Sequence, residues 1–109
     1  MIEQYQIDGL NKLVNSSVIK DIYPMVDRID ISQDGEFGMP DGKYYRLDID
    51  IHLNNPDIDH NNMYDMGFDP HYLVDYHLRK YLPYFNIDKV IIDFIVWGPE
   101  GNVIGSHIE

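Results

Sequence analysis

The chain has no cysteine, so it can build no disulfide framework and offers no thiol to a zinc site. Alanine and threonine are missing too. Basic residues are scarce: 8 Lys plus Arg face 19 Asp plus Glu, a formal net charge of −11. A surface of that sign repels phosphate backbones, so no direct nucleic-acid binding is expected. No run of 18 apolar residues occurs, so no membrane span is expected. The opening MIEQYQID has neither the basic start nor the apolar core of a secretion signal. A cytoplasmic or virion location follows as the expectation. The only serines are 16, 17, 32 and 106, none in a nucleophile elbow, and no glycine-rich phosphate loop is seen.

What remains is enough for one folded domain spanning 1–109. Apolar residues make up 44%, and nine Tyr, four Phe and one Trp supply bulk for a core. Of the acids, 15 are Asp and only 4 are Glu. Asp is a poor helix former and a frequent turn, cap and cation-ligand residue. The charge therefore belongs on loops and strands. Abundant Ile, Asn and Tyr without Ala point to an AT-rich genome, a composition met in bacteriophages and other viruses of AT-rich hosts.

Ile7, Leu10, Leu13, Val14, Val18 and Ile22 recur at helical spacing and predict a first helix over 3–22. Gly9 and the run Asn15-Ser16-Ser17 weaken it, and Pro24 ends it. MVDRIDIS (25–32) reads as a strand with Asp27, Ile29 and Ile31 on one face. QDGEFGMPDG reads as a loop. Residues 43–53 alternate cleanly: Tyr45, Leu47, Ile49, Ile51 and Leu53 against Tyr44, Arg46, Asp48, Asp50 and His52. A second helix begins at Asp69-Pro70, a preferred cap followed by a preferred first position, and is expected to stop at Pro83. DKVIIDFIVW (88–97) reads as a central strand and Val103 to His107 as a short edge strand. The fold class expected is α+β. It is a two-layer sandwich of order α-β-β-α-β-(β), with a small, mostly antiparallel sheet and two helices on one face. That order is similar to type II KH-like domains and to ribosome-binding factor A across most of the chain. The Gly-x-x-Gly loop of nucleic-acid-binding KH domains is missing and the charge has the opposite sign, so that function is not carried over.

Chemistry concentrates in NNPDIDHNNMYDMGFDPHY (54–72). Asp57-x-Asp59-x-Asn61 matches the opening of a calcium-binding EF-hand loop, with Asp65 at the ninth position. Asn62 stands where Gly is usual, and Phe68 where a bidentate Glu belongs. Asp57, Asp59, Asn61 and Asp65 are the candidate metal ligands, for Ca²⁺ or Mg²⁺; otherwise no cofactor is expected. The alternative is a solvated acidic connection. In the long strand, Asp48, Asp50 and His52 share a face, and Asp30 and Asp93 could join them as in two-metal nucleases. The order of strand, Asp-x-Asp and helix is similar to RusA-type Holliday-junction resolvases, which are basic where this chain is acidic. Arg28 and Arg46 on that face offer a simpler reading, cross-strand neutralisation. His71 and His77 are too far out of phase to share a helix face.

Met63, Tyr64, Met66 and Phe68 look like exposed apolar side chains in the acidic loop, and Tyr76 and Tyr84 lie off the main helical stripe. Together they are the candidate protein interface. The function expected is a non-enzymatic, acidic protein-binding or assembly subunit, such as a small phage structural or accessory protein. Its partner would be another protein or a second copy. Two alternatives stand beside it: an acidic nucleic-acid mimic that inhibits a host protein, and a metal-dependent phosphodiesterase using Asp48, Asp50 and Asp57 or Asp59.

Overall fold

The apolar periodicities resolve into helices on one side of a four-stranded sheet. The computed structural model describes residues 2–16 and 18–108, with backbone only for Phe37 and Ile108. Helix α1 covers Gln4–Ser16 and α2 covers Ile19–Ile22, so the single helix expected over 3–22 is divided. The Asn15 and Ser16 side chains bond back to the carbonyls of Asn11 (2.9 Å) and Lys12 (2.8 Å), competing with the backbone for helical bonds. Ser17 of that polar run lies outside the described residues. The apolar phase changes across the break. Ile7, Leu10 and Val14 are buried and Ile19 continues the core, whereas Val18 and Ile22 are exposed. Gly9 is explained by contact: a Cβ there would lie 2.5 Å from Phe85 Cε1, so its absence admits the Phe85 ring against α1.

The strands are β1 (Val26–Met39), β2 (Gly42–Leu53), β3 (Val90–Trp97) and β4 (Val103–Ile108), side by side in that order. β1 and β2 form an antiparallel hairpin, β2 and β3 are parallel, and β3 and β4 are antiparallel. The parallel pair needs a crossover, which residues 54–89 provide. In β2, Leu47, Ile49, Ile51 and Leu53 point into the core; in β3, Val90, Ile92, Phe94 and Val96 do so. Both sets join the helix residues in one continuous core.

β1 departs from the expected pattern in two places. A register shift between Val26 and Arg28 turns Val26 inward and leaves Asp27 outside, away from Ile29 and Ile31. A second shift falls between Gln33 and Glu36, where Gly35 takes φ +93°. The stretch read as a loop is therefore mostly strand: Asp34-Gly35 makes a bulge, and the reversal is confined to Pro40-Asp41 before Gly42.

α1 also closes one edge of the sheet. The Asn11 side chain accepts from the Ile31 N–H and donates to the Ile31 carbonyl, both at 2.7 Å. Asn15 does the same for Ile29, at 2.9 and 2.7 Å. Two amides one helical turn apart thus take the places a neighbouring strand would fill.

The helical stretch 70–85, called α3, changes winding twice. It is α-helical over Pro70–Tyr72, π-helical over Leu73–Leu78 and 3₁₀ over Arg79–Phe85. Pro83 sits inside the last segment rather than ending it; Asn86, left-handed at φ 55°, is the stop. Leu73, Val74, His77, Leu78 and Leu82 face the core. At the start, Asp69 Oδ1 accepts from the Tyr72 N–H at 3.1 Å, as the cap reading expects. Asp69→Ala is expected to lower stability by about 1 kcal/mol, read from the urea midpoint. An unchanged midpoint would show that the cap bond contributes nothing. No helix among the described residues is long and apolar enough to cross a membrane.

Candidate functional site

Three regions carry the predicted residues, and they are built differently. The first is the connection 54–69. Asp59 Oδ1 accepts from the backbone N–H groups of Asn61 (2.8 Å) and Asn62 (3.0 Å). The Met63 N–H then reaches the Asp59 carbonyl at 3.1 Å, one helical turn capped by Asp59. Asn62 ties the loop together, donating to the Asp57 carbonyl and accepting from the Asp59 N–H, both at 2.8 Å.

This loop corrects the sequence reading at two residues, Met63 and Phe68. Among the described residues no three Asp, Glu or His side chains gather to hold a metal ion. The Asp59 Oδ1 is held by the N–H groups of its own loop, and its Oδ2 is not part of those bonds. Met63 and Phe68 are not exposed. Both are core residues, and Phe68 is fully buried, edge-on to Tyr23 at 5.7 Å. The loop holds these side chains with Ile58 in the core, while Tyr64 and Met66 stay outside. Millimolar Ca²⁺ is expected to leave the melting temperature unchanged. A rise of several degrees that vanishes in Asp57→Asn/Asp59→Asn would show that the loop rearranges around the ion.

The second region is the sheet face away from the helices. Asp48 lines a shallow depression of about 350 Å³ with Ser32, Asp34, Arg46, Asp50 and Asp93. Arg46 sits among the acids. It pairs with Asp93 and lies 3.6 Å from Asp48 and 3.9 Å from Asp34. Arg28 pairs with Asp30 at 3.0 Å, and His52 Nε2 lies 3.2 Å from the same carboxylate. Asp50 accepts from the Trp97 indole N–H at 2.8 Å, and His52 stacks on Trp97. Burial, and then the charge of Asp34, raise the Asp48 carboxyl above its ordinary value against the pull of Arg46. The arrangement is neutralisation of acid by Arg, across strands where Arg46 meets Asp34 and Asp93 and within a strand where Arg28 meets Asp30 and Arg46 meets Asp48.

The third region is the outer face of α3. Tyr72, Tyr76, Lys80 and Tyr84 recur every four residues. Tyr72 and Tyr76 stack with ring centroids 4.9 Å apart and planes within 10°. Lys80 Nζ lies 5.5 Å from the Tyr76 ring centre. Tyr72, Tyr76 and Tyr84 are 49%, 57% and 75% exposed. Tyr72 is absent from the set predicted from sequence; the four-residue spacing was the signal that could have found it. Compared with protein-family models, curated proteins and solved structures, the chain matches none.

Beneath this ridge His77 is buried, with its Nδ1 lacking a hydrogen-bond partner among the described residues. The rings of Tyr23, Tyr72 and Tyr76 stand edge-on around it. Burial, helped by the charge of Lys80, pushes its pKa below the ordinary 6.5. The unfolded chain therefore binds a proton at a higher pH than the folded one does. Stability should fall as pH drops below about 6.5 and level off below the folded pKa. Urea midpoints measured from pH 7.5 downward should show this, and His77→Leu should flatten the slope. Equal slopes in both proteins would remove His77 as its source.

Proposed function

We propose that the chain is a non-enzymatic, acidic protein-binding subunit that works in an assembly, and that the ridge of α3 is its contact surface. The supporting observation is the exposed, pre-stacked pair Tyr72–Tyr76, extended by Lys80 and Tyr84. Aromatic side chains give large contact area with few rotatable bonds, and those already stacked lose little further freedom on binding. Tyr is enriched in interface centres. Tyr64 and Met66 remain as exposed apolar side chains on the preceding loop, while Met63 and Phe68 belong to the fold. The partner is a protein with apolar pockets for the tyrosines and a basic rim to meet the net charge of −11. A small viral structural or accessory protein is one setting for such a subunit.

The test is reconstitution. A protein captured by the wild-type chain from native extract is purified and titrated against Tyr76→Ser/Tyr84→Ser. The variant should melt like wild type and bind at least about tenfold more weakly. Equal affinity, or no protein that binds once purified, would reject the reading. Phosphodiester cleavage with Mg²⁺ or Mn²⁺, lost in Asp48→Asn, would replace it with the enzymatic alternative.

A further inference from the structure

The stack of Tyr72 on Tyr76 rests on a third ring, and that ring is ionisable. His77 meets Tyr72 and Tyr76 edge-on, with centroids 5.4 and 5.0 Å away, and Tyr23 at the end of α2 closes the site from the other side at 5.9 Å. The imidazole is 5% exposed, and its Nδ1 has no hydrogen-bond partner among the described residues. The charged group that bears on it is Lys80, of like sign; Asp69 acts on the Tyr23 phenol instead. A neutral imidazole can stay in such a place. An imidazolium there is a buried charge without a counter-ion, which folded chains avoid by moving the group to water.

The backbone around His77 is the part of α3 most ready to give way. Leu73–Leu78 is wound as a π-helix, a rare winding that side-chain contacts must hold, between an α-helical start and a 3₁₀ end. Leu73, Val74, His77 and Leu78 are the side chains that anchor this turn in the core. Taking His77 out removes one of the four and the floor beneath both tyrosines. We propose that the turn is an acid-released latch: a proton on His77 drives this side chain out of the core, opens the π-helical turn and takes apart the Tyr72–Tyr76 stack. The functional consequence rests on the reading of that stack as the contact surface: a partner held at neutral pH is let go in acid. The driving force has the sign derived above. Because burial and then Lys80 hold the His77 pKa below 6.5, falling pH favours any state in which the ring is hydrated.

Nuclear magnetic resonance of the full chain from about pH 7.5 to about pH 5 tests the latch, with the amides of β2 and β3 as the internal reference. As His77 takes its proton, the Tyr72 and Tyr76 ring signals should lose their mutual shielding. Protection of the 74–79 amides against hydrogen exchange should fall about tenfold or more while β2 and β3 stay protected. His77→Leu should keep the stack and the protection throughout. If that variant does not fold, His77→Gln, neutral and still polar, should do the same. Lys80→Gln removes the like charge and should move the midpoint of the change to higher pH. Ring signals and amides that ignore the His77 titration would overturn the proposal. So would the same acid change in the neutral variant, a midpoint unmoved by Lys80→Gln, or loss of β2 and β3 protection in step with the ridge. No partner enters the measurement, so the latch can fail while the ridge still binds, and the ridge can fail to bind while the latch works.

Discussion

Ile49→Asp is expected to leave the chain unfolded in buffer. Ile49 lies in the middle of β2, opposite Ile31 on β1 and Phe94 on β3, and all three are buried. A carboxylate at this position would be surrounded by hydrocarbon. Of the cationic side chains of β2 and β1, Arg46 and Arg28 are on the opposite face and Lys43 is exposed at the far end of β2, paired with Glu36, so no partner is in reach. Burying an unpaired charge costs several kcal/mol even after relaxation, or else the carboxyl stays protonated at a comparable cost. A domain of this size is stable by only about 5–15 kcal/mol, and losing the Ile49 packing adds to the deficit. Far-UV circular dichroism and a urea titration would read the result directly. Cooperative, wild-type-like melting would mean that β2 is turned over and the face bearing Asp48 and Asp50 is the buried one.

The burial of Ile49 is legible in the sequence because β2 is governed by one local rule. One face is covered by helices and the other is wet, so apolar and polar residues must alternate, and Leu47 through Leu53 do so. The start of α3 is legible for a similar reason: the cap bond of Asp69 joins residues three apart. Other features depend on contacts between distant parts of the chain. Asn11 and Asn15 look like weak helix formers in sequence, yet each completes the hydrogen bonding of a strand residue 14 or 20 positions away. Gly9 looks like a flaw in α1 until Phe85 is seen against it. The bulges in β1 insert residues that strict alternation has no way to place, so alternation puts Asp27 on the wrong face. The changes of winding in α3 leave the start and the buried stripe intact, and no motif announces them.

In the loop 54–69 the sequence misleads at the candidate site. A motif match weighs which oxygens are present but not which backbone groups already hold them. Asp59 fits a calcium ligand by position, and its Oδ1 is taken by two N–H groups of the same loop. Apolar residues among acids suggest an exposed interface, since nothing local shows that Met63 and Phe68 fold back into the core. The exposed ridge is partly visible because Tyr76 and Tyr84 fall outside the buried stripe. Tyr72 is hidden by lying beside the helix cap.

Phe68→Ala is expected to destabilise the monomer by about 3–5 kcal/mol, the range for removing a buried aromatic side chain. Phe68 is fully buried, meets the Tyr23 ring edge-on and is held by its N–H on the Met63 carbonyl at 2.8 Å. The ring also fixes the end of the connection that carries the chain from β2 to α3. Its loss leaves a cavity that the loop cannot fill without breaking the turn capped by Asp59. The urea midpoint should fall sharply with little change in slope, and Ile58 and Met63 should lose protection from limited proteolysis together, as parts of one plug. An interface anchor would behave in the opposite way. Truncating it would spare the isolated monomer, or even stabilise it by removing exposed apolar surface, and would abolish only association. A Phe68→Ala chain that melts like wild type but no longer assembles would return Phe68 to the contact surface and place the core boundary of this loop at Met63.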